Sequence, residues 1–354
     1  PRGRREADAD TNVTKGGDTP APRAGPAMYE QFYGLSDKPF HLSPDPRFFF
    51  ESQGHSRALA YLHYGVEQGD GFVVVTGDVG TGKTTLARML YEELRRSRTV
   101  VVAQLVMTQC TGDQLLRMIA EAFGLEQDRK SKATVLKELE SFLWKQHHAD
   151  KRTLLLLDEV QNLPMQALEM LRMLSNYQAG ERPLLQSLLL GQAEFQRTLQ
   201  SHNAEQIRQR VIASCHLYPL ASAAETQAYV EHRLRHVGWQ EDPRIDDAAY
   251  ETIRSFTLGV PRRINTFCDR LLLFASLEEL HEISAGTVEA VAAEITSDFP
   301  VRDGWRSAEE PAETGAGMEG ATRIAELEER VRVLEQAVRS AHNGIGKALE
   351  RRGS

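Results

Sequence analysis

Polar and apolar positions divide the chain into two regimes. In the first, segments 72–76, 100–106, 154–157 and 184–190 are largely continuous runs of valine, leucine and phenylalanine, with stretches of helical period between them. A strand that alternates apolar and polar residues has one wet face, whereas one that does not is buried on both. The runs therefore predict a parallel sheet covered by helices on both sides, with 85–94 first among the connecting helices. From about 217 to 298 the strand-like runs stop. Apolar positions there recur at three and four residues around 225–237, 246–255, 262–277 and 285–295, which predicts a small all-helical domain.

The flanking stretches break this pattern. Residues 1–27 are rich in Arg, Asp, Gly, Ala and Pro and lack the apolar core of a signal peptide. They are expected to form a disordered tail, with Met28, the first methionine, as a candidate start. Between 28 and 50, Tyr29, Phe32, Tyr33, Phe40, Phe48, Phe49 and Phe50 are interleaved with Pro39, Pro44 and Pro46, which stop regular helix. The first reading of this segment is a strap packed over the edge of the next domain, because aromatics are mostly buried; the second is a pocket wall or a partner dock. Residues 299–321 have a linker composition of Gly, Pro, Glu and Ala. Beyond them, Ile324, Leu327, Val331, Leu334, Val338 and Ala341 make a short coiled-coil-like helix over 322–342, followed by a tail at 343–354. Its register sets Arg323 against Glu328 and Arg330 against Glu335 of a second chain. With about three heptads, a helix solvated or packed on its own domain stays open beside self-association.

Composition narrows the class. A chain of 354 residues with 41% apolar and 26% charged residues is long enough for about two domains and excludes wholesale disorder. Forty-two Lys and Arg against fifty Asp and Glu give a net charge of −8, which makes nucleic acid an unlikely obligate partner. Cys110, Cys215 and Cys268 are scattered and form no C-x-x-C pair, so neither a disulfide framework nor a cysteine zinc site is expected. No apolar run approaches the roughly 18 residues of a membrane span. A cytoplasmic protein is expected, with peripheral attachment at the inner membrane left open.

The chemistry begins directly after the first strand. Residues 77–84 read GDVGTGKT, which fits G-x-x-x-x-G-K-S/T between a strand and a helix, the context that a phosphate-binding loop requires. Small residues let backbone N–H groups approach phosphate oxygens, and the helix N-terminus adds a favourable dipole. The nucleotide-binding set is Gly77, Asp78, Val79, Gly80, Thr81, Gly82, Lys83, Thr84 and Thr85, with Lys83 reaching the β and γ phosphates and Thr84 ligating Mg²⁺. With a nucleotide in view, the pocket reading of 28–50 becomes an adenine pocket. The third run ends in Asp158 and Glu159, where ligands of open parallel sheets sit. Asp158 is expected to hold the magnesium through water and Glu159 to orient the attacking water. Neighbouring strand residues face opposite sides, so the pair must diverge at the strand end to serve two roles.

These residues make the chain resemble the AAA+ ATPases, and within them the ExeA-type secretion ATPases, particularly the subgroup associated with exosortase (PEP-CTERM) and exopolysaccharide loci. The resemblance covers about 28–295 and is carried by MYEQFYGLSDKPFHLSPDPRFFF, GDVGTGKTT, LLLLDEVQNLP, PLLQSLLLGQAEF, QIRQRVIASCHLYPL, YVEHRLRHVGW and GVPRRINTFCDRLLL. It implies a P-loop NTPase αβα core over 28–216 with a parallel sheet, a helical lid over 217–298, ATP and Mg²⁺ as ligands, and a homo-oligomer formed through the AAA+ interface. Gln192 resembles the polar sensor of the γ-phosphate. Arg210 resembles the arginine finger presented to a neighbouring subunit, with Arg208 as the alternative. Arg262 resembles the second sensor, with Arg263 as its competitor. Two departures stand out: Ala193 follows Gln192 where proline is frequent, and no membrane span or peptidoglycan-binding module follows the lid.

Three further groupings are weighed lightly. His232 and His236 share a helix face but lack a third ligand. His147 and His148 suit the dipole at a helix end. Met165, Met170 and Met173 with Leu168 and Leu171 read as a packed helix face. The resulting expectation is an ATP hydrolase driving or gating an envelope secretion or polysaccharide-export system. A DNA-dependent ATPase of the transposition-helper or replication-initiator type and a nucleotide-switched scaffold are the alternatives.

Overall fold

The computed structural model describes residues 28–298 apart from 44 and 127–129. The expected tails, linker and coiled-coil-like helix lie outside the described residues. The chain opens with α1 (Met28–Phe32), a proline-rich stretch and α2 (Gln53–Gln68), then β1 (Phe72–Gly77), α3 (Lys83–Arg96) and β2 (Val100–Val106). Helices α4 (Gly112–Ala122) and α5 (Lys132–His148) lead to β3 (Arg152–Asp158) and α6 (Met165–Leu174). A small hairpin of β4 (Gln178–Ala179) and β5 (Arg182–Pro183) precedes β6 (Gln186–Gly191), α7 (Ala193–Gln200), α8 (Glu205–Arg208) and β7 (Val211–Leu217). The remainder is α9 (Ala223–His236), β8 (Arg244–Ile245), α10 (Asp247–Thr257), α11 (Pro261–Leu277), β9 (Glu282–Ile283) and α12 (Ala285–Asp298).

The main sheet is parallel throughout, with strand order β2-β3-β6-β1-β7. Its three inner strands are the most continuous apolar runs, and the reason is visible in how their side chains divide. Val73 and Val75 of β1 and Leu154 and Leu156 of β3 pack with α2 and α3 on one face. Phe72 and Val74, with Leu155 and Leu157, pack against α4, α5 and α6 on the other. Successive side chains of a strand point to opposite faces, so a strand covered twice must be apolar at every position.

The fifth strand, β7, is absent from the expected set. Its burial alternates, Ser214 is exposed and His216 is half-buried, because an edge strand packs one face more tightly than the other. That pattern does not announce itself as the inner strands do. The Thr76 hydroxyl meets His216 Nδ1 at 2.9 Å and ties the edge to β1.

A third cluster fills the helical region, with Leu234, Ile253, Phe267 and Leu271 at its centre. Tyr29, Tyr33, Leu35, Phe40 and Phe48 from the aromatic segment belong to this same cluster, so the beginning of the described chain packs on the lid helices. Met170, Leu168 and Leu171 form the buried face of α6 as expected, but Met173 is 42% exposed and lies off that face.

Helix α2 approaches the sheet at Gly65, where a side chain would meet Val73 Cγ2 at 2.2 Å. The Gly65 carbonyl accepts from the buried Gln186 Nε2 at 2.6 Å, which fixes that approach. A β-branched valine is stiff at χ1 and cannot turn aside. Gly65→Ala is therefore expected to destabilise the protein by about 1–3 kcal/mol, although alanine is the better helix former. Urea denaturation checks this, and a stability gain would contradict the packing argument.

Candidate nucleotide-binding site

The carboxyl edge of the sheet gathers the glycine-rich loop, Lys83, Asp158, Glu159 and Gln192. β1 ends at Gly77, and α3 begins at Lys83 after two glycines with left-handed backbone, Gly80 at φ 87° and Gly82 at φ 99°. Both conformations are strained for any residue with a Cβ. A Cβ at Gly80 would also lie 2.6 Å from Arg262 Cβ, and one at Gly82 would lie 2.6 Å from His55 Nε2. The loop is thus gripped between the lid and α2.

Lys83 is only 6% exposed, and its Nζ donates to the carbonyls of Gly77 at 2.7 Å and Asp78 at 2.8 Å. Burial pushes this ammonium below the ordinary lysine range, while Glu159, Asp158 and Asp78 act in the opposite sense. Asp158, 1% exposed, is the last residue of β3. Burial raises its carboxyl above the usual range; hydrogen bonds from the Thr84 side chain and the Glu159 N–H oppose that rise. A buried ammonium bonded only to carbonyls suits a polyphosphate, and a buried carboxylate paired with a threonine hydroxyl suits a hard cation with oxygen ligands.

The divergence demanded of Asp158 and Glu159 is achieved by backbone. Glu159 has φ 58° and ψ 38°, a left-handed conformation that costs a non-glycine residue about 1–3 kcal/mol. Its Oε2 accepts from Gln161 Nε2 at 2.5 Å and from Gln192 Nε2 at 3.2 Å. Gln161 Oε1 in turn accepts the Gln192 backbone N–H at 2.9 Å. One amide therefore joins the exit of β6 to the carboxylate after β3. Sequence reading missed Gln161; its only signal is a polar side chain two places after Glu159. Gln192 lines the cavity, with its amide on Glu159.

The lid supplies the roof. Arg262, in the first turn of α11, donates its backbone N–H to Gly80 O at 3.2 Å and lines the cavity, whereas Arg263 is not among the lining residues. Part of the aromatic segment lines it too, including His41, Leu42 and Phe48 to Phe50. Arg233, 6% exposed, holds that strap: Nε donates to Pro39 O at 2.6 Å, and the guanidinium lies 4.8 Å from the Phe48 ring. The segment therefore both packs and forms the wall of the pocket.

Arg210 lies elsewhere. It directly precedes β7, and its carbonyl accepts the Phe72 N–H at the opening of β1, so it sits at the amino edge of the sheet. Six residues of β1 place it roughly 20 Å from the phosphate loop of its own chain. Its guanidinium donates to Ser175 O at 3.2 Å, Ser175 Oγ at 2.8 Å and Asn176 Oδ1 at 2.5 Å. Arg208 bonds the carbonyls of Leu199 and Gln200 at 3.3 Å each. His232 and His236 have ring centroids 6.0 Å apart, and no three His, Cys, Asp or Glu side chains converge among the described residues. His148 stacks on Trp144 near the end of α5.

Residues 66–199 match the family model of an AAA domain. Residues 66–199 thus carry an AAA domain. Its matched span includes the phosphate loop, Asp158, Glu159, Gln161 and Gln192, and excludes Arg210 and Arg262. General secretion pathway protein A of Aeromonas hydrophila is 38% identical over 270 residues, covering 76% of this chain and 49% of that protein. The chain thus spans about half the length of this curated relative. Among solved structures, Drosophila ORC bound to DNA superposes with a TM-score of 0.56 at 16% identity, over 84% of this chain and 74% of that one. CDC6P from Pyrobaculum aerophilum gives 0.55 at 15% identity, over 75% and 71%. At such identities the likeness is one of fold: a P-loop AAA core with a parallel sheet between helices and a helical region after it.

Gln161→Ala is expected to lower the rate of ATP hydrolysis about 10- to 100-fold, because the Glu159 carboxylate loses its shortest anchor. Nucleotide affinity should stay within about twofold, since Gln161 bonds to neither the loop nor Lys83. Steady-state kinetics beside calorimetric titration check the split, and adding the change to Glu159→Gln should cost nothing more.

Proposed function

We propose that the protein is a Mg²⁺-dependent ATP hydrolase that works as a homo-oligomer and powers or gates assembly of an envelope secretion or exopolysaccharide-export system of the exosortase-associated type. The observation carrying the chemistry is the buried Lys83 ammonium set among two loop carbonyls beside the Asp158 and Glu159 carboxylates. The backbone N–H groups of residues 80–84 and Lys83 hold the β and γ phosphates. Thr84 and Asp158 would hold Mg²⁺, which would supply positive charge against the phosphoryl oxygens. Glu159 orients water against the γ-phosphate, and Gln192 reads the same end of the nucleotide. Arg262, bound to the loop from the lid, makes lid position sensitive to the nucleotide.

Oligomer dependence follows from Arg210. At the amino edge of the sheet it is out of reach of its own nucleotide, which supports a role toward a neighbour's. The client rests on the 38% identity with a general secretion pathway protein, and the exosortase subgroup on the motifs quoted above. Among the described residues no helix is long and apolar enough to cross a membrane. The proposed place is the cytoplasm, with peripheral attachment at the inner membrane.

Calorimetry with ATP should show affinity that depends on Mg²⁺, and its absence would refute the hydrolase reading. Glu159→Gln should bind ATP and lose hydrolysis by at least about 100-fold. Arg210→Ala should lose turnover with binding intact, and mixing it with Glu159→Gln should restore part of the activity, because one mixed interface then carries both an intact Glu159 and an intact Arg210. Unchanged turnover in the purified Arg210 variant removes it from the finger role. Hydrolysis stimulated by DNA in a salt-sensitive manner would replace the secretion client with a nucleic-acid one.

A further inference from the structure

His55 sits in the first turn of α2, is 6% exposed, and lines the nucleotide cavity beside the phosphate loop. The Ser52 hydroxyl caps the helix, accepting the His55 N–H at 3.3 Å, and meets the ring Nδ1 at 2.7 Å. On its other side Nε2 faces the loop, 2.6 Å from where a Cβ on Gly82 would stand, and the Thr81 backbone beside it favours a proton on the ring, as a carbonyl acceptor does. Burial acts more strongly and holds the imidazole below the ordinary histidine range. A neutral ring that offers its Nε2 proton to the loop accepts the Ser52 hydroxyl proton at Nδ1. Phe49, itself part of the cavity wall, meets the ring edge-on at 5.3 Å.

In a trans peptide the carbonyl of one residue and the N–H of the next lie in one plane and point in opposite directions. Thr81 O and Gly82 N–H are such a pair. Gly82, at φ 99°, lacks the Cβ that would resist reorientation of this peptide, so the loop needs an external restraint. Thr81 is fully buried, and its hydroxyl is committed to Asp78 O at 2.9 Å. We propose that His55 is a positioning residue of the nucleotide site: by holding the Thr81 carbonyl it keeps the Gly82 N–H turned toward the phosphates. This role rests on the ATP-binding reading above. It also couples the site to the strap, because the helix turn that carries His55 follows directly from Phe49 and Phe50.

Three substitutions in the full chain separate donor from bulk. Gln places an amide nitrogen where Nε2 lies, Asn places one where Nδ1 lies, and Ala places none. Titration with Mg²⁺ and a non-hydrolysable ATP analogue should show affinity weakened about tenfold in His55→Ala and His55→Asn and restored to within about threefold of the parent in His55→Gln. Thermal unfolding without nucleotide accompanies each measurement. Parental affinity in His55→Ala and His55→Asn overturns the assignment, as does equal loss in His55→Gln and His55→Ala. Affinity that tracks melting temperature across the three variants, regardless of donor, overturns it too. If the parent itself fails to bind the analogue, the ATP reading falls and takes this role with it. Binding by the parent with indifferent variants removes His55 alone.

Discussion

A lysine ammonium buried at the end of a strand is the constraint around which the rest of the site is arranged. Taking such a charge out of water costs several kcal/mol unless something of opposite sign compensates. Lys83 has two carbonyl acceptors and the field of nearby carboxylates, yet burial still dominates its acidity. The sheet order explains why those carboxylates are available. β1 and β3 flank β6, so their carboxyl ends lie about 10 Å apart, with the exit of β6 between them. The first strand delivers the cation, the third delivers two anions, and the middle strand delivers Gln192. A triphosphate with a divalent cation would satisfy both sides of this arrangement at once.

Much of this was legible in the sequence wherever a single element carries the information. The inner strands are continuous apolar runs because both faces are covered, and the loop motif follows one of them directly. β7 was illegible for the converse reason: Ser214 and His216 on an edge strand break the run. Gln161 and His55 were missed because their roles come from tertiary placement. Gln161 acts only because β6 ends beside the turn after β3, and His55 only because α2 packs against the loop. The aromatic segment raised two readings that the structure shows to be compatible, since the residues buried in the lid core carry their neighbours to the cavity wall.

The lid and the strap share one anchoring point. Arg233 bonds Pro39 O and Tyr229, and Tyr229 donates to Asn265 of α11 at 2.7 Å. The helix that presents Arg262 to the phosphate loop therefore also holds the segment that lines the other part of the cavity. A ligand that draws Arg262 toward its phosphates acts on both walls through this buried cluster, and burial makes each of its hydrogen bonds expensive to leave unmade.

On the proposed cycle, Arg210 carries a cost that its position makes instructive. Its guanidinium donates to Ser175 and Asn176, immediately beyond the end of α6. α6 begins soon after Glu159 and, at ten residues, extends about 15 Å toward the amino edge. Reaching a neighbour's γ-phosphate means giving up these contacts, which have an ionised donor and are each worth about 1.5–3 kcal/mol net, in exchange for bonds in which the acceptor is ionised as well. In that proposal the anionic γ-phosphate across the interface is what favours the exchange. A subunit facing a diphosphate or no nucleotide lacks that acceptor, so on the proposed cycle the hydrogen bonds that satisfy the isolated chain tie productive assembly to the nucleotide held next door.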